Sequence, residues 1–448
     1  MASRLISNTL HAPSGVAHKL VRPLATAAQQ SLATRTTVLP NGLTIATEEN
    51  ARAGNATVGL WIDAGSRAET AKNSGAANLV QRLALKNSTL ANKLGGQVVA
   101  RTTHDQTVYA AKTTGSSVSN SVQILADLVQ GIKLDGLEAE RAAVLKQLEN
   151  ASQEDVVFEH LHATAFQGES LGLPVAGLNT ENLTSEDLSA FVKTNYAPNR
   201  IVLVGAGDVD HESLVKLAEK AFNGSSPAAP VKTSKPSFTG SEIRLRDDAA
   251  SHAHVALAVE GAPLMSDDYF NLLVMQTIIG SWDASLNGSA NLFSRLSTVV
   301  HNNHLADSFA SFTKGYKDTG LWGMYFVSQN RTQLDDFVHF MQKEWNRLST
   351  TVTASEVERA KQQVKASWLL SQDSTSVVAQ DIGSQVLATG KRLSPEQVAE
   401  AIDKITVSDL RKVAEKYIWD QEIAVVGSGP IEGLTDLNRV RGNMAYNR

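Results

Sequence analysis

The sequence predicts an α+β fold laid down twice: two homologous domains, each a mostly antiparallel sheet layered with helices. Three observations carry that prediction. One stretch of chain repeats 222 residues later, another repeats after 218, and strand and helix patterns are interspersed within each copy.

In the first repeat, Leu183-Thr184-Ser185-Glu186-Asp187-Leu188 is echoed by Ile405-Thr406-Val407-Ser408-Asp409-Leu410. Each leads through a helical pattern to a tyrosine, Tyr196 and Tyr417, and then to a β-branched run and a Gly-x-Gly turn. Thr184, Asp187, Leu188, Gly205 and Gly207 meet identical residues at Thr406, Asp409, Leu410, Gly427 and Gly429, each 222 positions on. The second echo sets Glu138-Ala139-Glu140-Arg141 against Glu356-Val357-Glu358-Arg359, at an offset of 218. Both open long amphipathic helices.

The local chemistry agrees in the two copies. Thr184 and Thr406 are placed to N-cap a helix, with Asp187 and Asp409 three residues on. The Gly-x-Gly ends a strand at a turn that needs permissive backbone. Neither copy extends it to G-x-G-x-x-G, so nucleotide binding is not predicted. Within the first copy, Thr36 to Glu48 reads as a hairpin around Asn41-Gly42. Thr57 to Ala64 alternates as a strand, and Ala71 to Lys86, Ser117 to Leu134 and Glu138 to Gln153 read as helices. Ser225 to Ser237 reads SSPAAPVKTSKPS, with three prolines and no period. The expected division is a domain at 35–225, a linker at 226–237 and a domain at 238–448.

Composition narrows the function classes. Apolar residues make up 42% and charged residues 19%, a globular balance, and the formal charge of −5 gives no footprint for nucleic acid. No apolar run reaches the roughly 20 residues that span a bilayer, so membrane association is expected through partners only. With no cysteine, disulfides, thiolate metal sites and Cys-ligated clusters are excluded. The first 47 residues hold no Asp or Glu, yet carry Arg4, Lys19, Arg22 and Arg35 among many Ser, Thr and Ala. That composition predicts a mitochondrial transit peptide over about residues 1–30.

Candidate chemistry gathers after Trp61-Ile62-Asp63-Ala64-Gly65-Ser66-Arg67-Ala68-Glu69-Thr70, a strand running into a helix that carries Asn78-Leu79-Val80-Gln81-Arg82. This frame resembles the processing-peptidase branch of the pitrilysin-like zinc peptidases. In that family the helix bears H-x-x-E-H: two zinc-binding His and a Glu general base. A further acidic ligand follows an E-R pair on a later helix. The resemblance places Asn78, Gln81 and Arg82 at the three motif positions, and Gln147 at the downstream ligand, counted from Glu140-Arg141. Amides are poor zinc ligands, Gln81 cannot accept a proton, and an arginine stays cationic. The expectation from these four degenerate positions is no metal, no cofactor and no enzyme. Other histidine groups that could hold a metal are His252-x-His254, His301-x-x-His304 and Glu159-His160-Leu161-His162. The two His-His pairs bring no acidic third ligand and read as solvated loop residues, and the Glu159 to His162 cluster reads as helix packing and capping of a polar face. No G-x-S-x-G elbow is present.

The resemblance continues through Phe158-Glu159-His160-Leu161-His162-Ala163-Thr164-Ala165-Phe166-Gln167, Gly240 to Asp248, Tyr316 to Gly323, Trp345-Asn346-Arg347-Leu348 and Trp419-Asp420-Gln421. These strings are similar to the core protein 1 family of the mitochondrial cytochrome bc1 complex (respiratory complex III, ubiquinol–cytochrome c reductase), in its fungal form, over roughly 35–448. Such a resemblance implies a structural subunit on the matrix face of the inner membrane, supporting assembly and stability of the electron-transport complex. It also implies partners: core protein 2, cytochrome b, cytochrome c1, the Rieske protein and small subunits. The alternative it leaves open is a subunit of a mitochondrial processing peptidase. A presequence-binding partner of that enzyme bears a Gly-rich loop in its second domain; here Ser281 to Phe293 holds one Gly. Trp322, Tyr325, Trp345, Trp419 and Tyr446 are candidate interface anchors, with core packing the alternative for each. The basic stretch Asn438 to Arg448 reads either as a solvated tail or as a contact for a partner or anionic headgroups.

Overall fold

Gly42 takes φ +88°, which lets Arg35–Val38 (β1) fold back onto Thr44–Glu49 (β2) in antiparallel register, as Asn41-Gly42 predicts. The computed structural model describes residues 33–86, 96–224, 226–229, 235–286 and 294–445, which belong to one unit. The transit-peptide segment, Tyr446 and much of the linker lie outside the described residues.

Ala56–Ile62 (β3) is followed by Ala76–Lys86 (α1), and Gln97–Thr102 (β4) and Thr107–Thr113 (β5) form a hairpin. Val118–Gln130 (α2), Leu137–Glu149 (α3) and Gln153–Ala165 (α4) come next, then Ser185–Asn195 (α5), Ile201–Gly207 (β6) and His211–Ala221 (α6). The sheet order is β1-β2-β6-β3-β5-β4, with β2–β6 its one parallel pair. The second half repeats this plan with Glu242–Arg246 (β7), Ala253–Gly261 (β8), Asp267–Ile279 (α7), Ser281–Asp283 (β9), Arg295–Asn303 (α8), Ser308–Gly315 (β10) and Gly320–Ser328 (β11). Leu334–Thr350 (α9), Ala354–Ser371 (α10), Thr375–Thr389 (α11), Pro395–Asp403 (α12), Val407–Tyr417 (α13), Ala424–Gly429 (β12) and Leu437–Asn443 (α14) complete it. Its sheet runs β7-β12-β8-β11-β10-β9, again with one parallel pair, β7–β12. The mostly antiparallel, doubled α+β fold is therefore as predicted.

The repeated residues do the same work in both halves. Thr184 and Thr406 each accept from the amide three residues on, and Asp187 and Asp409 return the bond to the cap amide. Gly207 and Gly429 both sit at φ +96°, and a Cβ on either would stand 2.3–2.4 Å from a carbonyl oxygen. The helix predicted at 138–153 ends sooner than expected. α3 stops at Glu149, and Ser152 caps α4 by accepting from the Asp155 amide.

Each sheet buries one face under its own helices and the other under a helix of the opposite half. Val157, Leu161, Ala165 and the following Phe166 of the α4 region pack on Ala256, Ala258, Leu321, Tyr325, Ala424 and Val426 of the second sheet. In return Val378, Ala379, Ile382 and Val386 of α11 pack on Ala46, Trp61, Val108, Val202 and Val204 of the first. These two helices begin 222 residues apart, so the exchange is reciprocal between equivalent elements. Arg392 locks it further. Its side chain is 1% exposed, is ion-paired with Glu48 of the first half, and bonds Asp381 at 3.0 Å and Gln372 at 2.9 Å.

The packing decides between several readings that the sequence leaves open. Trp322 and Trp345 are fully buried in the second core with their rings 4.8 Å apart, and Tyr325 packs under α4, so none of the three is a free interface anchor. Trp419 is half-buried. The C-terminal stretch is no solvated tail through its described part: Val440 of α14 and Met444 just after it are buried, while Arg441 pairs with Asp420 and Glu422. Among the described residues, no helix is long and apolar enough to cross a membrane.

Candidate functional site

Helix α1 presents Asn78, Gln81 and Arg82 at i, i+3 and i+4, hence on one face. Glu69 positions its start. The carboxylate is buried and accepts from the Gly75 amide at 2.8 Å and the Ala77 amide at 2.7 Å. Burial pushes its pKa up to about 8, against the opposing effect of those amides. Opposite α1 lies α3, which contributes Glu140 and Gln147.

Arg82 ties the two helices together. Its Nε donates to Glu140 Oε2 at 3.1 Å and its Nη1 to Gln147 Oε1 at 2.8 Å. Lys86, one turn on, reaches Glu140 Oε1 at 3.0 Å. Burial works to raise the Glu140 pKa, yet Lys86 and Arg82 hold it below the usual carboxylate range. The four residues singled out in the sequence are therefore brought together on the wall of one cavity of about 1260 Å³. The missed member of the group is Glu140, whose part in the E-R pair marks the helix but does not announce it as the partner of Arg82.

As a donor set these residues do not fit zinc. Two are neutral amides at α1, one is an amide engaged by Arg82, and the remaining carboxylate already neutralises two cations. Among the described residues no three His, Asp or Glu side chains converge for a metal ion.

The other histidines go elsewhere. His252 lies in the bend just before β8, while His254 is half-buried within β8, its Nδ1 2.7 Å from the Tyr325 hydroxyl. His301 is on α8, edge-on to Trp282, and His304 ends that helix at φ +51°. His162 is buried against His104 and Tyr316. His160 lines the cavity, where burial lowers its pKa. The glycine-poor segment 281–293 lies in part outside the described residues.

Known proteins match over nearly the whole chain. The mitochondrial-processing peptidase subunit beta of Lentinula edodes is 44% identical, covering 99% of each chain. The probable mitochondrial-processing peptidase subunit beta of Schizosaccharomyces pombe is 47% identical, covering 96% of this chain and 98% of its own. A chain in the solved structure of complex III2 from Candida albicans, Inz-5 bound, superposes with a TM-score of 0.83 at 32% identity, covering 92% of this chain and 100% of that one. The relatives overturn one expectation. They carry the name of a peptidase, so the reading of this chain as no enzyme is withdrawn, whatever the amides at α1 suggest. Residues 44–178 match the model described as insulinase (peptidase family M16), and 182–364 that of the peptidase M16 inactive domain. The chain belongs to the M16 peptidase family.

Proposed function

We propose that this chain is a core subunit of mitochondrial respiratory complex III, lying on the matrix side and supporting the assembly and stability of that complex. The observation that carries the reading is its likeness, over the full length of the partner chain, to a chain of complex III2. The architecture suits such a role. Separating the halves would strip both exchanged helices from their sheets, and each large apolar side chain so exposed costs about 1.5–3 kcal/mol. The expected neighbours are core protein 2, cytochrome b, cytochrome c1, the Rieske protein and small subunits. Contact with the inner membrane is expected through them.

Residues 1–30 would serve as the mitochondrial transit peptide, followed by domains at 35–225 and 238–448 joined at 226–237. Asn78, Gln81, Arg82 and Gln147 would stand where peptidases of the family hold zinc. The Arg82–Glu140–Gln147 network then braces α1 against α3 in place of a metal.

A second reading is favoured by the relatives' names: a subunit of a mitochondrial processing peptidase. Affinity purification from gently solubilised mitochondria separates the two. Fixed stoichiometry with cytochrome b, cytochrome c1 and a second core-like chain supports the first. A soluble heterodimer that cleaves presequences supports the second and overturns the first.

A further inference from the structure

The tips of two equivalent hairpins meet between the halves. The turn at 103–106 closes with Thr103 N donating to Gln106 O, and the turn at 316–319 with Tyr316 N donating to Thr319 O. Arg67 joins them, bonded to Asp105 at 3.3 Å and to Asp318 at 2.5 Å, and the Lys317 amide donates to Asp105 at 3.1 Å. Beneath the tips, His104 stacks on His162 of α4 with ring centroids 3.9 Å apart and planes within 15°.

The hydrogen bonds fix the protonation of His162. His162 Nδ1 faces the Phe158 carbonyl at 2.6 Å, which can only accept, so Nδ1 carries the proton. His162 Nε2 is then the acceptor for the Tyr316 hydroxyl. His104 Nε2 has no hydrogen-bond partner among the described residues, though the side chain is buried. The nearest acidic atom is Glu159 Oε2, 3.9 Å away. That same oxygen accepts from the Val175 amide at 2.9 Å, and Val175 lies on the wall of the large cavity. With the proton of neutral His104 on Nδ1, one carboxylate oxygen thus stands between two donors, of which only one is present until Nε2 is protonated.

We propose that His104 is a proton-operated latch on this wall. A proton delivered to Nε2 draws the Glu159 carboxylate toward the imidazolium and away from the Val175 amide, freeing 174–177. The flanks stay tethered: Ser66 Oγ donates to Leu173 O, and the Leu178 amide donates to Ser74 Oγ. The latch therefore opens a short stretch of loop, not the whole domain.

The surrounding charges set the direction. From α4 come Glu154, Asp155, Glu159 and His162; from β4 and its turn Arg101 and Asp105; from β10, β11 and their turn Lys314, Tyr316, Lys317 and Asp318; and Arg67 precedes α1. Burial, then repulsion from His162 and Lys314, holds His104 well below its ordinary pKa of 6.5, and burial takes His162 down to about 3. With the closed-state pKa held below that of the opened state, the closed state loses ground as pH falls.

The test is amide hydrogen exchange of segment 172–178 in the mature chain within its parent assembly. Rates from pH 7.5 to 5.5 are corrected for the intrinsic pH dependence of exchange. One histidine that regains its ordinary pKa of 6.5 on opening predicts an opening equilibrium that rises about tenfold over this range. His104→Gln should leave the profile flat, and His104→Asn serves if that variant does not assemble. A flat wild-type profile overturns the proposal, as does an undiminished rise in either variant. An onset below about pH 5 also overturns it, because that lies too far below the ordinary imidazole pKa of about 6.5 for a histidine released by opening.

Discussion

Gly383 sits in mid-helix on α11 with the Trp61 indole pressed against it. A Cβ added there would stand 2.2 Å from Trp61 Cδ2 and 2.5 Å from Cγ and Cε2. Carbon atoms pack at about 3.5–4.0 Å, so Gly383→Ala must push helix and ring apart by roughly 1.5 Å. The ring has nowhere to go. Trp61 is 1% exposed, and its far edge already lies over Gly59, where a Cβ would be 2.6 Å from Cζ3. Overpacking of this kind costs about 1–3 kcal/mol, and this site belongs at the upper end. Alanine in place of helical glycine returns about 1 kcal/mol. The net expectation is a loss of about 2 kcal/mol, read as a lower urea midpoint for the purified chain. Gly442 on α14 is the control. No atom lies within 4 Å of its added Cβ, so Gly442→Ala should be neutral or stabilise by up to about 1 kcal/mol. If Gly383→Ala behaves like Gly442→Ala, α11 does not pack on Trp61 and the reciprocal exchange of helices is wrong.

Arg392→Met leaves Glu48 and Asp381 buried without their cation, and should cost about 3–5 kcal/mol in the same urea assay. A loss below about 1 kcal/mol would show that this bridge between the halves is solvent-screened. The combined variant Asn78→His, Gln81→Glu, Arg82→His and Gln147→Glu rebuilds the ligand set of the family on α1 and α3. It should bind one zinc per chain by elemental analysis, with no such gain if Gln147 does not face the three α1 positions. Glu356 gives an acid limb. Burial works to raise its pKa, but Arg347 at 2.9 Å and the Thr353 amide hold it down to about 2, from an ordinary 4.5. Because the folded pKa is the lower one, its contribution is complete above pH 4.5 and is lost as pH falls toward 2. Glu356→Gln should flatten stability over that window and leave the wild-type slope only if other carboxylates dominate.

The doubled fold was legible because its signals are local. Thr184 and Thr406 cap through neighbours three residues on, and Gly207 and Gly429 mark the same strained turn. The exchange of α4 and α11 was not legible. Val157, Leu161 and Ala165 at i, i+4 and i+8 show that one helical face is apolar, but periodicity does not say whose sheet covers it. Trp322 and Trp345 were ambiguous for a similar reason. Aromatic size suits an interface and a core alike, and only tertiary contact chose the core. At the candidate site, the grouping of Asn78, Gln81, Arg82 and Gln147 came from resemblance. The Arg82–Glu140 bond that organises them depends on how α1 and α3 approach, which no residue spacing within either helix encodes. The His104–His162 stack joins residues 58 positions apart in a seam between the halves, beyond the reach of any local pattern.

The most direct test of the central claim is to isolate this chain from gently solubilised mitochondria and determine which proteins accompany it, and in what ratio. The account predicts equal amounts of this chain, a second core-like chain, cytochrome b and cytochrome c1 in one membrane-derived particle. Recovery in a soluble two-chain assembly that cleaves presequences, with no cytochrome present, would contradict it.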